Sequence, residues 1–270
     1  MATKASERKP AAKRAPKGGT GAGPILRYAD YLKHQITHAP KRTKGERTKD
    51  ALKLGAIQVL DDVGYHAMRV ADLCEVAQVG SATFYLYFEN KADITLQVLS
   101  EYLDRGVELL PAREAGMSAF DAIRAANLRW LEVGRANAGL LRCVLQLGDE
   151  EPGFRELVHR SNRAWYERIA LSFSRRAPEG AISDDAALLA AYCLGAMMDE
   201  MARKLIIYPD PDLKQLTGRT VPNDAGIAEF FAVLWHRTLY GGLPIESDLA
   251  PVAQSLAGLD FSGGRDMKKP

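Results

Sequence analysis

The sequence has few cysteines, and it lacks any apolar run long enough to cross a membrane. Its three cysteines, Cys74, Cys143 and Cys193, stand far apart without a C-x-x-C pair. This spacing argues against a disulfide framework or a zinc site, and it suits a reducing, cytoplasmic compartment. The longest apolar run, residues 186–198, has thirteen residues, whereas a membrane span needs about 20. We therefore expect no membrane association, no bound metal and no cofactor.

Catalytic motifs are also missing. The sequence contains no G-x-S-x-G nucleophile motif, no H-E-x-x-H metal motif and no glycine-rich nucleotide-binding loop. The adjacent acidic pairs Glu150-Glu151 and Asp199-Glu200 would point about 100° apart on a helix, so they do not converge as a catalytic pair. The sequence therefore argues against an enzyme.

The composition is that of a folded protein, but its charge is unevenly distributed. Hydrophobic residues make up 47% and charged residues 26% of the chain, which excludes a wholly disordered or collagen-like protein. Residues 1–49 hold thirteen basic and three acidic residues, which leaves 23 basic and 31 acidic residues in the rest. A basic end on an acidic body favours a polyanionic partner, although a solvated tail without function explains the charge equally well.

Apolar residues recur at helical spacing along most of the chain, and no segment alternates like a strand, so we expect an all-α fold. Helix starts are indicated by Thr43 with Glu46 and by Asn90, Ser118, Ser183 and Asp224. The predicted helices cover residues 25–38, 43–63, 70–77, 81–87, 91–110, 119–137, 139–147, 152–176, 184–207 and 225–240. We expect a largely disordered basic arm over residues 1–43 apart from its short helix, a loop at 208–224 and an irregular tail at 241–270.

Residues 64–88 are the most informative segment. Two short predicted helices with a three-residue joint have the arrangement of a helix-turn-helix, whose second helix enters the DNA major groove. A helical wheel of this second helix turns Phe84 and Phe88 towards the core and leaves Tyr85 and Tyr87 outside. Two outward tyrosines on so short a helix indicate a surface for a partner.

The pattern across this segment resembles the DNA-binding domain of the TetR family of transcriptional regulators. The resemblance rests on Thr83-Phe84-Tyr85-Leu86-Tyr87-Phe88 followed by Asn90-Lys91, and it extends over about residues 45–106. The DNA contacts that it implies come from Gly80, Ser81, Ala82, Thr83, Tyr85, Tyr87 and Lys91, and we expect Arg69 to replace the phosphate contact of a family arginine that this sequence lacks. Three positions depart from the family pattern: Met68-Arg69 replace a Ser or Thr helix cap, Ala71 replaces an arginine, and Gln78 replaces the turn glycine.

The resemblance further implies a ligand-responsive repressor that acts as a homodimer on a near-palindromic operator in double-stranded DNA. Residues 111–240 would then form a helical domain for dimerisation and for an unidentified small-molecule effector. The apolar helices 187–201 and 225–240 suit a four-helix dimer interface, with an ordinary monomer core as the alternative. Candidates for the effector pocket are Trp130, Trp165, Tyr166, Cys193, Met197 and Met201. The basic arm is expected near the DNA backbone, where it would add affinity without sequence preference. A helical adaptor that binds proteins through an apolar surface is the alternative function.

Overall fold

The computed structural model describes residues 24–38, 42–111, 116–148, 152–175, 182–221 and 223–240, and these residues contain helices and no β-strand. The predicted all-α class is confirmed. The first 23 residues of the predicted arm and the predicted tail at 241–270 lie outside the described residues. Within the described ranges, none of the helices combines the length and the apolar character that crossing a membrane requires.

Twelve α-helices and one π-helical turn make up the described chain. In chain order they are α1 (Tyr28–His38), α2 (Lys44–Asp62), α3 (Gly64–Ala67), α4 (Val70–Ala77), α5 (Ser81–Phe84), α6 (Lys91–Glu108), α7 (Ala119–Ala136), α8 (Ala138–Leu147), α9 (Pro152–Ser174), α10 (Asp184–Ala202), the π-helical turn (Arg203–Ile207), α11 (Pro211–Thr220) and α12 (Asp224–Tyr240). The short helix predicted inside the N-terminal arm is therefore present as α1.

Most helix starts follow from local hydrogen bonds that the sequence predicted. The Thr43 side chain accepts from the Glu46 amide, and the Glu46 carboxylate accepts from the Thr43 amide at 2.7 Å. The Asn90 side chain accepts from the amides of Ala92 and Asp93 in α6, and Ser118 and Ser183 cap α7 and α10. These predicted caps are confirmed.

Two predictions for the C-terminal half were wrong. The expected loop at 208–224 contains α11, because Asp210 accepts from two amides of the first turn and Pro211 has the fixed φ that suits the first helical position. The cap of α12 is Asn223, whose side chain accepts from the Gly226 amide at 2.9 Å, and Asp224 already lies in the helix. The Asp-Pro pair was a readable helix-start signal.

Two apolar cores support the structure. The N-terminal core joins α1, α2, α4, α5 and α6 to α8 and the start of α9; it includes Leu52, Leu73, Phe84, Ile94, Leu140 and Phe154. The other core joins α7, α9, α10 and α12 around Leu131, Leu194, Phe231 and Trp235. Helix α12 also turns Ala232 and Val233 towards Phe120 of α7. The broad apolar surface of α12 is therefore largely covered within one subunit.

Candidate nucleic-acid interface

The joint between α4 and α5 is a tight left-handed turn. Gln78 ends α4 with φ 55° and ψ 42°, and it is the one non-glycine residue with positive φ in the described ranges. The amide of Val79 donates to the Cys74 carbonyl at 3.0 Å, which satisfies the end of α4. A close approach holds α4 against α2, because a Cβ at Gly55 would lie 2.6 Å from the Leu73 carbonyl oxygen. The chain thus adopts the turn without the usual glycine, at the strain cost of a non-glycine residue in this region.

Helix α5 is anchored from one side. Phe84 and Phe88 are 0% and 2% exposed, and their ring centroids lie 5.6 Å apart. The predicted inward orientation of both phenylalanines is confirmed. The regular helix is shorter than predicted and ends at Phe84, followed by a turn in which the amides of Leu86 and Tyr87 donate to Thr83 and Phe84.

The opposite side of α5 presents the predicted contact residues to solvent. Gly80, Ser81 and Ala82 are exposed, and Thr83 is partly buried. Tyr85 is 61% exposed and Leu86 is 78% exposed. Leu86 was not among the predicted contacts, because the wheel of a longer helix did not represent the turn that carries it. An apolar side chain beside an exposed tyrosine suits the thymine methyl group in the major groove.

Tyr87 differs from the outward position predicted for it. It is partly buried in the N-terminal core, and a Cβ at Gly45 would lie 3.3 Å from its hydroxyl oxygen. Tyr87 therefore ties α5 and the turn after it (residues 81–88, the recognition turn) to the first turn of α2, where Lys44 and Arg47 are exposed. The helix dipole disfavours cations at this end by about 0.3–1 kcal/mol. Lys44 and Arg47 thus slightly destabilise α2, whereas both are well placed to contact DNA phosphates.

Arg69 lies at the start of α4 with its side chain 79% exposed. Its guanidinium donates to both carboxylate oxygens of Asp72 at 3.1 and 3.0 Å, and this hydrogen-bonded pair lowers the pKa of the Asp72 carboxyl. The Arg69 amide also donates to Asp72 at 3.2 Å, which is the acidic half of a capping box, while the bond that a Ser or Thr side chain would accept at this position is not made. Exposed ion pairs contribute little to stability, so a phosphate can compete for this guanidinium.

Lys91 is held by the protein rather than projecting freely. Its ammonium donates to the carbonyl oxygens of Tyr65, His66 and Met68 at 3.1, 3.3 and 3.3 Å, and it lies 4.7 Å from the Tyr65 ring centroid. An ammonium has three donors, and all three are directed at carbonyls of α3 and of Met68, which follows it. Lys91 therefore fixes α3 and Met68, directly before Arg69. Its contact with a phosphate remains a prediction.

The described start of the predicted arm packs at the C-terminal end of α2. Arg27, just before α1, pairs with Asp61 at the C-terminal end of α2 at 3.3 Å. The Gly45–Tyr87 contact lies at the other end of α2, whose 19 residues span about 28 Å. Residues 42–43, the other end of the predicted arm, adjoin this contact, and the expected place of the arm near the DNA backbone remains a prediction.

The residues predicted to line an effector pocket differ in their burial. Trp130, Met197 and Met201 are partly buried against the core of α7, α10 and α12. Tyr166 is buried, fills the space beside Gly195 and lies 4.5 Å from Tyr192 between ring centroids. Trp165 is partly buried on α9.

Cys193 does not fit a pocket inside the subunit, because it is exposed on α10. A cleft of about 270 Å³ between α6 and α9 contains none of the predicted residues. Its lining is Leu96, Gln97, Ser100, Gly153, Glu156, Leu157 and Arg160. Among the described residues, no cluster of three or more His, Cys, Asp or Glu side chains suits a metal ion.

An α4–turn–α5 unit with an anchored inner face and a polar and aromatic outer face defines a helix-turn-helix DNA-binding protein. Residues 54–98 match the model of the bacterial regulatory proteins of the tetR family. This segment is therefore a DNA-binding domain of the tetR type, and the chain is a DNA-binding transcriptional regulator. This family assignment replaces the adaptor hypothesis.

Individual relatives agree with this assignment. Transcriptional regulator AcuR of Cereibacter sphaeroides is 26% identical over 193 residues, which cover 65% of this chain and 88% of AcuR. The fatty acid metabolism regulator protein of Bacillus subtilis is 35% identical over 68 residues, 25% of this chain and 33% of that protein. Among solved structures, Salmonella enterica GusR superimposes with a TM-score of 0.58 at 17% identity, covering 74% of this chain and 99% of GusR. FadR from Bacillus halodurans gives 0.54 at 17% identity over 75% and 98%. At these identities the superpositions bear on the fold alone.

Proposed function

We propose that this protein is a ligand-responsive repressor that binds a near-palindromic operator as a homodimer. The observation that carries the proposal is the exposed Tyr85–Leu86 surface on a turn whose inner face, Phe84 and Phe88, is fully anchored. The basic first turn of α2 lies beside this surface through the Gly45–Tyr87 contact. Base readout and phosphate contacts thus come from adjacent elements.

Dimerisation is supported by an exposed stripe on α10. Leu189 is 65% and Tyr192 40% exposed, and Cys193 and Ala196 continue the same face at helical spacing. Leu171 of the neighbouring α9 is 51% exposed. The proposed interface therefore centres on α10. A single short recognition helix reads only a few base pairs, so useful specificity requires two half-sites in fixed register.

Selection of bound sequences from random duplex DNA tests the operator. We expect two inverted half-sites to be enriched, and a duplex with one half-site scrambled to bind far more weakly than the intact site. A Tyr85→Ala protein selected in parallel controls for binding that does not pass through the recognition turn. Enrichment of a single unpaired site, or no enrichment by the wild-type protein, would contradict the proposal.

Two leucines of similar exposure provide a matched test of the dimer interface. Leu189 lies on the α10 stripe, whereas Leu216, 48% exposed, lies on α11. We expect Leu189→Arg to shift the sedimentation equilibrium towards monomer at least about tenfold, which corresponds to about 1.4 kcal/mol, while Leu216→Arg leaves it unchanged. A wild-type protein that sediments as a monomer both free and on DNA would refute the homodimer.

The cysteines allow an independent check. Cys193 is exposed, whereas Cys74 and Cys143 are buried, and burial raises the pKa of the Cys143 thiol to about 12. A short bis-maleimide should therefore join two subunits through Cys193 alone, and Cys193→Ser should abolish the product.

Repression and the effector require separate tests. A reporter gene behind the selected operator should be silenced by the wild-type protein and not by Tyr85→Ala. Thermal shift against small metabolites should identify a compound that raises the melting temperature, and the same compound should then release the operator. A reporter that is activated instead of silenced would overturn the assignment as a repressor.

A further inference from the structure

Helix α1 precedes the residues that match the family model and lies where the helix-turn-helix meets the later helices. Tyr28, Ala29 and Leu32 are 3%, 7% and 6% exposed. They belong to the same core as residues of α2, α6 and α8. An element outside the matched domain is thus built into its core.

Asn137, at the corner between α7 and α8, holds the start of α1. It is 3% exposed, and its side-chain oxygen accepts from the Tyr28 amide at 2.7 Å. Its side-chain nitrogen donates to the Leu26 carbonyl at 2.9 Å and to the Val133 carbonyl at 2.8 Å. A buried amide with its oxygen and both N–H groups bonded is costly to displace, because each orphaned group would lose its partner without gaining water.

The same turn of α1 also holds α6 and α2. The Tyr28 hydroxyl donates to Glu101 in the middle of α6 at 2.7 Å, and the second oxygen of Glu101 accepts from Lys53 of α2. Burial of Tyr28, followed by its hydrogen bond to Glu101, raises the pKa of the phenol far above its ordinary value, so the hydroxyl remains a donor. One turn of α1 therefore bonds to α6 and to the α7–α8 corner simultaneously.

We propose that α1 is a clasp that fixes the tilt of α6 against the α7–α8 corner, with Tyr28 and Asn137 as its positioning residues. Helix α6 begins at Lys91, directly after the recognition turn. Ten residues separate Lys91 from Glu101, or about 15 Å of helix, so a tilt of about 10° moves the recognition end by about 2.6 Å. One base pair advances DNA by about 3.4 Å. The clasp therefore sets the spacing between half-sites that the dimer accepts. This consequence rests on the proposed dimeric function, whereas the clasp itself does not.

The experiment compares Tyr28→Phe and Asn137→Ala with the matched control Tyr31→Phe in the full chain. Tyr31 lies on the same helix, and its hydroxyl has no hydrogen bond within the described ranges, although Arg105 lies over its ring. Two readouts are used: hydrogen–deuterium exchange of α6 and α8 in the free protein, and affinity for the selected operator against the same operator with one base pair inserted between half-sites. Tyr28→Phe keeps the ring, so it serves if Asn137→Ala fails to fold.

We expect both clasp variants to speed exchange in α6 and α8, and the control to match wild type. The spacing ratio is the affinity for the selected operator divided by the affinity for the operator with one inserted base pair. This ratio should fall roughly two- to thirtyfold in the clasp variants, the range of coupling changes seen for residues outside binding sites. Unchanged exchange in Tyr28→Phe would overturn the clasp. Faster exchange with an unchanged spacing ratio would mean that α1 only stabilises the fold, and it would overturn the role of Tyr28 and Asn137 in positioning α6. A wild-type protein that binds no selected duplex would refute the proposed operator binding, and exchange would still decide whether α1 is a clasp.

Discussion

Phe84 and Tyr85 are neighbours in the recognition turn, and we expect their alanine variants to fail in opposite ways. Phe84 is fully buried against Phe88, whereas Tyr85 is 61% exposed. Phe84→Ala removes a large buried ring and leaves a cavity, which costs about 3–5 kcal/mol. For a protein of this size each kcal/mol lowers the melting temperature by about 2–4 °C, so the expected loss is roughly 6–20 °C.

Tyr85→Ala should leave the fold intact and weaken operator binding. A substitution at an exposed site changes stability by no more than about 0.5 kcal/mol. Removing one interaction with a base or a phosphate costs about 1–3 kcal/mol, or roughly five- to 150-fold in affinity for each half-site. The melting temperature of Tyr85→Ala should thus match wild type while its operator affinity falls.

Thermal melts and fluorescence-anisotropy titrations on the selected operator measure both quantities in the same preparations. Tyr85→Phe is the internal control, because it separates the hydroxyl from the ring. A variant that binds like wild type assigns the contact to the ring, and one that binds like Tyr85→Ala assigns it to the hydroxyl. Equal loss of stability in Phe84→Ala and Tyr85→Ala would refute the assignment of inner and outer faces.

Three further outcomes follow from packing, burial and charge. Gly55→Ala places a Cβ 2.6 Å from a backbone carbonyl oxygen and should destabilise the protein by about 1–3 kcal/mol in urea denaturation, whereas Gly106→Ala, with nothing within 4 Å, should be neutral or stabilise α6 by up to about 1 kcal/mol. Burial raises the pKa of Asp199 from 3.8 to about 6, so the folded protein binds this proton more tightly than the unfolded chain. The protonated Asp199 therefore adds to the free energy of unfolding below about pH 4, and this contribution is lost as the pH rises through about 6. Asp199→Asn should remove this pH dependence of the free energy of unfolding, which is worth at most about 3 kcal/mol. Deleting residues 1–23 removes six Lys and Arg residues and keeps α1. The deletion should lower the slope of log K against log salt concentration by about 0.9 for each phosphate that the arm neutralises, with the preferred sequence unchanged.

Each of these outcomes can fail separately. Equal stabilities of Gly55→Ala and Gly106→Ala would contradict the close approach of α2 and α4. A wild-type pH profile in Asp199→Asn would place the titration elsewhere. An unchanged salt slope after deletion would make the arm a passive tail, and a changed sequence preference would mean that the arm reads a groove.

The local features of the motif could be predicted from the sequence. Helix caps at Thr43 and Asn90 depend on hydrogen bonds that reach two or three residues along the chain. The burial of Phe84 and Phe88 follows from helical periodicity, since residues four apart share a face. The left-handed turn at Gln78 followed from its place between two short helices. For such features, the spacing of residues along the chain is enough to predict which atoms bond and which side chains share a face.

Contacts between distant segments could not be predicted in this way. Lys91 donates to carbonyls 23 to 26 residues away, which is why its ammonium fixes α3 and Met68 instead of extending outward. Tyr87 is partly buried because α2 brings Gly45 beside it. Cys193 points outward on α10 because other faces of that helix pack against α9 and α12.

By itself, the sequence determined the helical class, the helix-turn-helix and the buried face formed by Phe84 and Phe88. Only the tertiary structure decided that Arg27, just before α1, pairs with the C-terminal end of α2 and that α1 bonds to Asn137, 109 residues away. The physical reason is that caps, turns and amphipathic faces depend on neighbours within a few residues. The meeting of α1 with the α7–α8 corner depends instead on how whole helices pack, and that packing has no local pattern in the chain.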